Sequence, residues 1–452
     1  MIKKNQIIKI EITDITSQGS GVGHHENMAI FVPLTAIGDI VEVKIVKVLK
    51  SYAYGIINKI LIPSSGRIEV DCPVFAKCGG CAYRHISYDE ELKVKDRTVR
   101  DAFERIGKVS TQFEPIVGCD NVDRYRNKAV HAIGSENGKI VCGFYARRSH
   151  RITPITDCKL HPEEFAQINE FIVDYSAKHR IEPYDEGTHK GILRNVFIRQ
   201  GWHSGEIAIC FVSRGRNEKE LSGLANALTE RFENIKSAVM NINPDRTNVI
   251  LGEENVLLAG CETIKDLMCG NIITLSPHSF YQINTAQAEK LYRIVKDYAD
   301  LEPDDLVIDM YCGAGTIGLS LAPQAREVIG IEIVPAAIEN AKKNAQENDI
   351  SNVRFICADA SHAANTLINE DISPDVIVLD PPRKGCDRRT LDAVVKLAST
   401  RVVMVSCNPA TAARDIRILQ DNGYTAVKTR AVDMFPRTGH VETVVLMSRV
   451  EK

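Results

Sequence analysis

No stretch of 18 apolar residues occurs in the chain, and its basic opening, MIKKNQIIKIEITDITSQGSG, is not followed by an uninterrupted apolar segment. Membrane-spanning and secretory readings therefore have nothing to stand on. Internal repeats and low-complexity tracts are missing as well, which excludes solenoids and compositionally biased linkers. An excess of one charge is also lacking: 56 Lys and Arg against 59 Asp and Glu leave a net charge of -3. The chain is thus not coated in basic residues, and any nucleic-acid surface must be local. What remains is ordinary globular composition, 44% hydrophobic and 25% charged over 452 residues, enough for about two to four domains. The expectation is a soluble, cytoplasmic, monomeric protein with no membrane partner. Cysteine, by contrast, is plentiful. Thirteen cysteines, an odd number, without a secretion signal point away from a disulfide framework and toward metal binding, catalysis or plain burial.

Three regions follow one another. In residues 1 to about 60, the strands QIIKIEI, MAIFVP and DIVEVKIVKVLKSYAYGIINKI are separated by Gly-rich turns, the spacing of a small antiparallel barrel. Seven lysines against five acidic residues make this segment mildly basic, which suits oligonucleotide binding and equally an ordinary solvated face. Residues 61–275 are mixed α+β: PEEFAQINEFIVDYSAKHR and EKELSGLANALTERFEN have helical periodicity, and RNVFIRQGW, EIAICFVSRG and SAVMNINP read as strands. Within this region, residues 121–151 hold seven Lys or Arg against two Asp or Glu, interleaved with Tyr125, Phe144 and Tyr145. Such a stretch can grip phosphates and stack bases, or form the exposed face of a β-rich domain. After LEPDD the period changes to strand, helix, strand. Near-continuous apolar strands such as DVIVLDPP and RVVMVSC alternate with helical patterns over residues 276–452. That is the signature of a doubly wound, Rossmann-like sheet buried on both faces.

The turn DMYCGAGTIG lies between the first strand of that sheet and a helix. Gly313, Gly315 and Gly318 match a dinucleotide fingerprint only loosely, and glycines here could serve the tight turn alone. Glu332 ends the next strand, 17 residues after Gly315, where a carboxylate takes ribose hydroxyls. Asp359 ends the third strand, placed to accept from an adenine amino group. Asp309 at the start of the loop would repel a pyrophosphate but suits a cofactor carrying an ammonium and a sulfonium, so S-adenosyl-L-methionine fits better than NAD. In LDPPRKGCD two prolines fix the chain after the fourth strand; they either aim Asp380 at a planar ligand or simply stop the strand.

Cys407, in VVMVSCNPATAARD, stands where an apolar strand gives way to Asn408-Pro409. The carboxyl edge of an open α/β sheet is its ligand crevice, so this thiol is a candidate nucleophile, with metal ligation and burial as alternatives. One chemistry would need it. Pyrimidine C5 is too weak a nucleophile to attack a methyl sulfonium, but a thiolate added at C6 makes C5 enolate-like. A base must then remove the C5 proton. DMFPRTGHVETVVLMSR offers two: if its strand runs antiparallel, Glu442 falls at the same edge as Cys407, and His440 competes because its ordinary pKa lies nearer neutrality.

Together SFYQIN, DMYCGAG, LDPPRKG, VSCNPAT and DMFPRTGHVETV, within residues 278–446, resemble the RNA uracil-5-methyltransferase family. The resemblance implies 5-methyluridine formation with S-adenosyl-L-methionine, Cys407 as nucleophile and Glu442 as proton acceptor. Gln282, Tyr311, Glu332 and Asp380 would contact cofactor or target, with Gly313 and Asp359 completing the cofactor site; Tyr281 stands where an aromatic is expected.

DCPVFAKCGGCAYRH places Cys72, Cys78 and Cys81 as C-x5-C-x2-C, and PITDCKLHP adds Cys158. Four thiolates suit an iron-sulfur cluster or zinc. The resemblance favours the first, since the 23S ribosomal RNA branch of the family pairs a [4Fe-4S] cluster with an N-terminal TRAM barrel that binds RNA. Ribosomal RNA is thus the expected substrate and transfer RNA the alternative. A non-catalytic RNA-binding or assembly factor would need the barrel and cysteines but not Cys407 with Glu442, and an enzyme methylating an exocyclic nitrogen would need no thiol.

Overall fold

The computed structural model describes residues 2–147, 149–155 and 157–450. Buried and exposed side chains alternate along Ile7–Ile15 (β1). With Ser20–His25 (β2), Met28–Pro33 (β3), Ile40–Val48 (β4) and Tyr52–Ile62 (β5), this strand closes a barrel in the order β1-β2-β3-β5-β4. Closure removes the open edges a small sheet would otherwise present, and Ile10, Ile12, Ile30, Val41, Val43 and Ile45 fill the interior. Asp39 is buried against this core. Burial alone would raise its carboxyl, but Arg67 and the amides of Ala36 and Ser64 hold it below its ordinary value. Arg67→Met leaves that carboxylate buried without its counter-charge, at an expected cost of about 3 kcal/mol, read as a lower denaturation midpoint. A carboxylate held below its usual pKa contributes stability above that pKa and loses it as pH falls through the lowered value. The gap between variant and wild type is therefore expected to close as pH falls below about 4.

A single helical turn, Phe75–Cys78 (α1), and the helix Tyr88–Asp101 (α2) follow the barrel; Ser87 caps α2 by accepting from the Glu90 amide. Next comes the short strand Gln112–Val117 (β6). The central sheet comprises Lys128–Glu136 (β7), Lys139–Tyr145 (β8), Ile152–Pro154 (β9), Leu193–Gln200 (β10), Ile207–Ser213 (β11), Ile235–Ile242 (β12) and Glu254–Gly260 (β13). Their order is β13-β12-β11-β10-β7-β8-β9. Helices Glu163–His179 (α3) and Glu218–Arg231 (α4) bury Phe165, Ile168, Leu221 and Leu224 against it. A hairpin, Ile264–Met268 (β14) and Asn271–Leu275 (β15), leads onward.

The third unit is built from Thr285–Ala299 (α5), Leu306–Met310 (β16), Thr316–Leu321 (α6), Glu327–Glu332 (β17), Pro335–Glu347 (α7), Val353–Cys357 (β18) and Ala360–Asn369 (α8). It continues with Val376–Leu379 (β19), Arg388–Leu397 (α9), Arg401–Ser406 (β20), Pro409–Gln420 (α10), Tyr424–Val432 (β21) and Glu442–Arg449 (β22). The strand order is β18-β17-β16-β19-β20-β22-β21-β6. Val402 and Met404 enter one core while Val403 and Val405 enter the other, which is why β20 reads as an unbroken apolar run. The chain leaves β16 in one direction to β17 and β18 and returns to its other side at β19, so the crevice opens at the carboxyl ends around β16 and β19. β22 alone reverses direction against β20, pairing Thr443 with Ser406.

One element departs from the division read in the sequence. β6 lies within 61–275, yet it pairs in parallel with β21, Gln112 opposite Lys428, and so belongs to the third sheet. Six partly exposed residues carry no periodic signal of that partnership. No helix among the described residues is long and apolar enough to cross a membrane.

Candidate active site

Six of the eight strands of the third sheet deliver functional residues at one edge, five of them as they end and β22 as it begins. In spatial order these are Asp359 after β18, Glu332 ending β17, Tyr311 and Gly313 after β16, Asp380 after β19, Cys407 after β20 and Glu442 opening β22. All of them, with Gln282, line one cavity of about 1360 Å³. Neighbouring strands lie about 4.8 Å apart, so the line from Glu332 to Cys407, three strand steps, is about 14 Å long. That length suits an extended ligand with a second, flat one at the Cys407 end.

The loop after β16 makes room for such a ligand by bending sharply. Tyr311 has φ +67 and Gly315, the cap of α6, φ +82; the tyrosine is strained there at a cost of about 1–3 kcal/mol, as residues at ligand sites often are. Glu332 braces the bend, accepting from the Gly313 amide at 3.2 Å and the Val334 amide at 2.9 Å. Asp359 caps α8 through Oδ1, which accepts from Ser361 Oγ and from the amides of Ser361 and His362 and holds the carboxyl below its ordinary value. Its Oδ2 receives no hydrogen bond from the described residues. Asp309, expected to face a cationic ligand, does not line the cavity. It is buried behind the loop, where Oδ2 accepts from Gly318 N at 2.9 Å and burial pushes the carboxyl up to about 7. The central domain holds the Gln282 segment: Asn127 donates to the Gln282 carbonyl, and the buried Arg199 donates to those of Ser276 and Ser279.

At the other end burial dominates the electrostatics. It pushes Glu442 up to about 8, with Asp380 adding to the shift and Arg383 opposing it, and raises Asp380 to about 7. The Cys407 thiol is likewise raised, by burial first and Glu442 second, while Arg383 pulls it back. Arg383 sits 3.2 Å from a ring nitrogen of His440, whose pKa is lowered by burial and then by that guanidinium. His440 does not line the main cavity. It faces a neighbouring cleft of about 600 Å³, walled by barrel residues 14–18, which Cys407 and Arg383 also reach. Of the two candidate bases, Glu442 shares the cavity with Asp380.

The four clustered cysteines converge less completely. Cys72, Cys78, Cys81 and Cys158 line a single cavity of about 700 Å³. Yet among the described residues no group of three or more His, Cys, Asp or Glu is gathered to hold a metal ion. The expected four-thiolate site is therefore not formed in ligating geometry. Burial raises Cys78, Cys158 and Cys81, the last to about 11, and thiolates gathered there would repel one another unless a cation held them. The basic stretch 121–151 also differs from expectation. Tyr125 is buried and donates to the Pro436 carbonyl, and Phe144 packs with His131 and His161, so neither ring is free to stack on a base. Tyr145 is partly exposed, and Arg148 lies outside the described residues. Sequence reasoning passed over Arg383, Phe435 and Lys128, all on the main cavity. Each had a signal: Arg383 follows the two prolines, Lys128 belongs to the basic stretch 121–151, and Phe435 lies in DMFPRTGHVETV.

Comparison with known proteins gives the family and the fold. Residues 88–450 match the tRNA (Uracil-5-)-methyltransferase family and residues 3–57 the TRAM domain. An uncharacterized RNA methyltransferase of Clostridium tetani is 42% identical over 447 residues, 99% of this chain and 97% of that one. Another, from Halalkalibacterium halodurans, is 40% identical over 99% of this chain and 98% of its own. Among solved structures, the Pyrococcus abyssi tRNA (uracil-54, C5)-methyltransferase in complex with S-adenosyl-L-homocysteine superposes with a TM-score of 0.77 at 25% identity, covering 97% of this chain and all of the other.

Proposed function

The chain belongs to the tRNA (Uracil-5-)-methyltransferase family and carries an N-terminal TRAM domain, and we propose that it methylates C5 of a uridine in RNA using S-adenosyl-L-methionine. The carrying observation is that Cys407 and Glu442 open into one cavity from adjacent antiparallel strands. Glu332, Gly313, Asp359 and Gln282 would hold the cofactor: the cavity runs along all four, and Asp359 Oδ2 and the Glu332 carboxylate give it acceptors. When bound, the cofactor supplies a methyl group on a sulfonium.

The target base, extruded from the RNA, lies between Cys407 and Glu442. The Cys407 thiolate adds to C6, forming a C–S bond and moving the C5=C6 electron pair to C5. C5 then takes the methyl group, whose bond to the sulfonium sulfur breaks and leaves its electron pair there as a neutral thioether. Glu442 removes the remaining C5 proton, the pair re-forms the C5=C6 bond, and Cys407 leaves. Asp380, buried and raised to about 7, is the group placed to donate to or accept from the edge of the ring. Arg383 favours the thiolate over the thiol.

Cys72, Cys78, Cys81 and Cys158 are proposed to hold a [4Fe-4S] cluster. All four line one cavity, and the guanidiniums of Arg84 and Arg126 beside Cys81 favour its thiolate. Bound there, away from Cys407, the cluster would supply structure rather than chemistry. Protein purified without oxygen is expected to be coloured and to contain iron and acid-labile sulfide; colourless protein holding zinc would overturn this.

The substrate is proposed to be 23S ribosomal RNA, because the TRAM barrel and the four-cysteine segment occur together in this chain as they do in the branch it resembles. Transfer RNA is the second reading, favoured by the substrate named for the Pyrococcus abyssi enzyme. Nucleoside analysis of RNA from cells with and without the protein is expected to show loss of 5-methyluridine, and mapping should put the lost site in ribosomal RNA. Loss confined to transfer RNA would reverse the assignment, and loss of an N-methyl nucleoside would sink the C5 chemistry.

A further inference from the structure

Cys407 and Glu442 are held in place by different devices. Cys407 is fixed by the sheet and by α10, whose cap Asn408 accepts from the Ala410 amide. Glu442 follows residues 433–441, a connection that leaves the sheet after Val432 and returns opposite it. Neither strand dictates the path of that connection. A cluster of buried polar groups on α2 does.

Lys95, 1% exposed, donates to Glu91 Oε1 at 2.7 Å, to Asp433 Oδ1 at 2.6 Å and to the Phe435 carbonyl at 3.1 Å. Tyr88 donates to Asp433 Oδ2 at 2.8 Å while accepting from the Cys119 amide. Glu91 Oε1 accepts from the Arg437 amide at 2.7 Å, at a residue whose φ is +68. Asp433 Oδ1 in turn accepts from the Phe435 amide at 3.1 Å. Both polar backbone atoms of Phe435 are therefore taken by this cluster, and the residue lines the cavity together with Glu442. Apolar residues of similar volume would pack α2 against the sheet at least as well as a buried ion cluster. What the ions add is direction, since the amides of Phe435 and Arg437 and the Phe435 carbonyl must come to fixed oxygens and one ammonium.

We infer that Lys95, Glu91, Asp433 and Tyr88 are positioning residues for the second half of the reaction, holding Phe435 and its connection as the wall of the cavity beside Glu442. This rests on the roles proposed for Cys407 and Glu442. Because Cys407 is held independently, loosening the cluster should spare addition of the thiol and methyl transfer but slow removal of the C5 proton. The covalent protein–RNA adduct would then persist.

The test is rapid-quench kinetics with RNA and labelled S-adenosyl-L-methionine on the full chain, comparing wild type, Tyr88→Phe and Lys95→Met. Tyr88→Phe removes one hydroxyl and carries the test should Lys95→Met fail to fold. Adduct formation and the KM for RNA are expected to stay unchanged, while adduct release slows by about 100-fold, the effect of roughly 1 Å of misplacement. Formation and release falling together, or neither changing, would overturn the inference, because a purely structural role lowers both in proportion to the folded fraction. Cys407→Ala, run alongside, separates the two claims: methylation surviving in it would overturn the proposed roles and this inference with them, whereas its loss with equal falls in both steps would overturn the positioning role alone.

Discussion

Cys407→Ala is expected to abolish methyl transfer, with a loss in kcat on the order of 10⁵–10⁶-fold, as for removal of other nucleophiles that act as a unit with their partners. Binding of S-adenosyl-L-homocysteine should be unaffected, because Gly313, Glu332 and Asp359 follow or end β16, β17 and β18, two or more strands from Cys407, and Gln282 stands on the segment before α5. The size of the loss follows from the chemistry. Without a C–S bond at C6, C5 has no electron pair to offer the methyl group. The environment of the thiol adds a second expectation. Burial and the Glu442 carboxyl raise its pKa above the ordinary thiol value, and Arg383 only partly offsets them. Adduct formation should therefore quicken with rising pH. Arg383→Met should push the curve to higher pH, and an unmoved curve would remove Arg383 from the account. Incorporation of labelled methyl into RNA measures the first result, and the pH dependence of adduct formation the second.

Glu442→Gln is expected to trap the enzyme on its RNA. The amide keeps the size of the side chain but cannot take a proton, so methylation proceeds to the adduct and stops. A protein–RNA species stable to denaturing electrophoresis, carrying one labelled methyl, is the expected result; wild-type release in this variant would rule Glu442 out as the base. The sign of the pH effect follows from its environment. Burial favours the neutral acid and pushes its pKa up to about 8, with Asp380 assisting and Arg383 opposing. A base works only when ionised, so adduct release should accelerate as pH rises through about 8 and fall about tenfold per unit below it. In the glutamine variant that rise should vanish.

Much of this site could be read before any coordinates, for a physical reason. Sheets covered on both faces need apolar residues at every position, so the strand ends stand out as the places where polarity returns: Glu332, Asp359, Asp380 and Cys407 are all such returns. The reversed direction of β22, needed to bring Glu442 beside Cys407, followed from asking which orientation would serve the chemistry, and the pairing of Ser406 with Thr443 supplies it. What escaped was set by contacts remote in sequence. Lys95 and Asp433 are 338 residues apart, and nothing local to either marks the other. Asp309 was misjudged because a strand-end carboxylate was assumed to face the ligand, whereas it serves the amide of Gly318. Tyr125 and Phe144 were misjudged because a basic stretch says which residues are near one another along the chain but not which way a ring turns.

The placement of β6 has a consequence in time. Its partner β21 lies more than 300 residues further along the chain, and at about 5–20 residues per second the ribosome needs roughly 15–60 s to make that interval. The barrel and central sheet have all their strands long before then. The catalytic sheet does not, and its edge near the active site closes only when the last strands emerge and meet a segment that has been waiting. The enzyme becomes competent late, at the end of its own synthesis. A chain that stalls before residue 424 has every strand of its barrel and central sheet but lacks β21, β22 and Glu442.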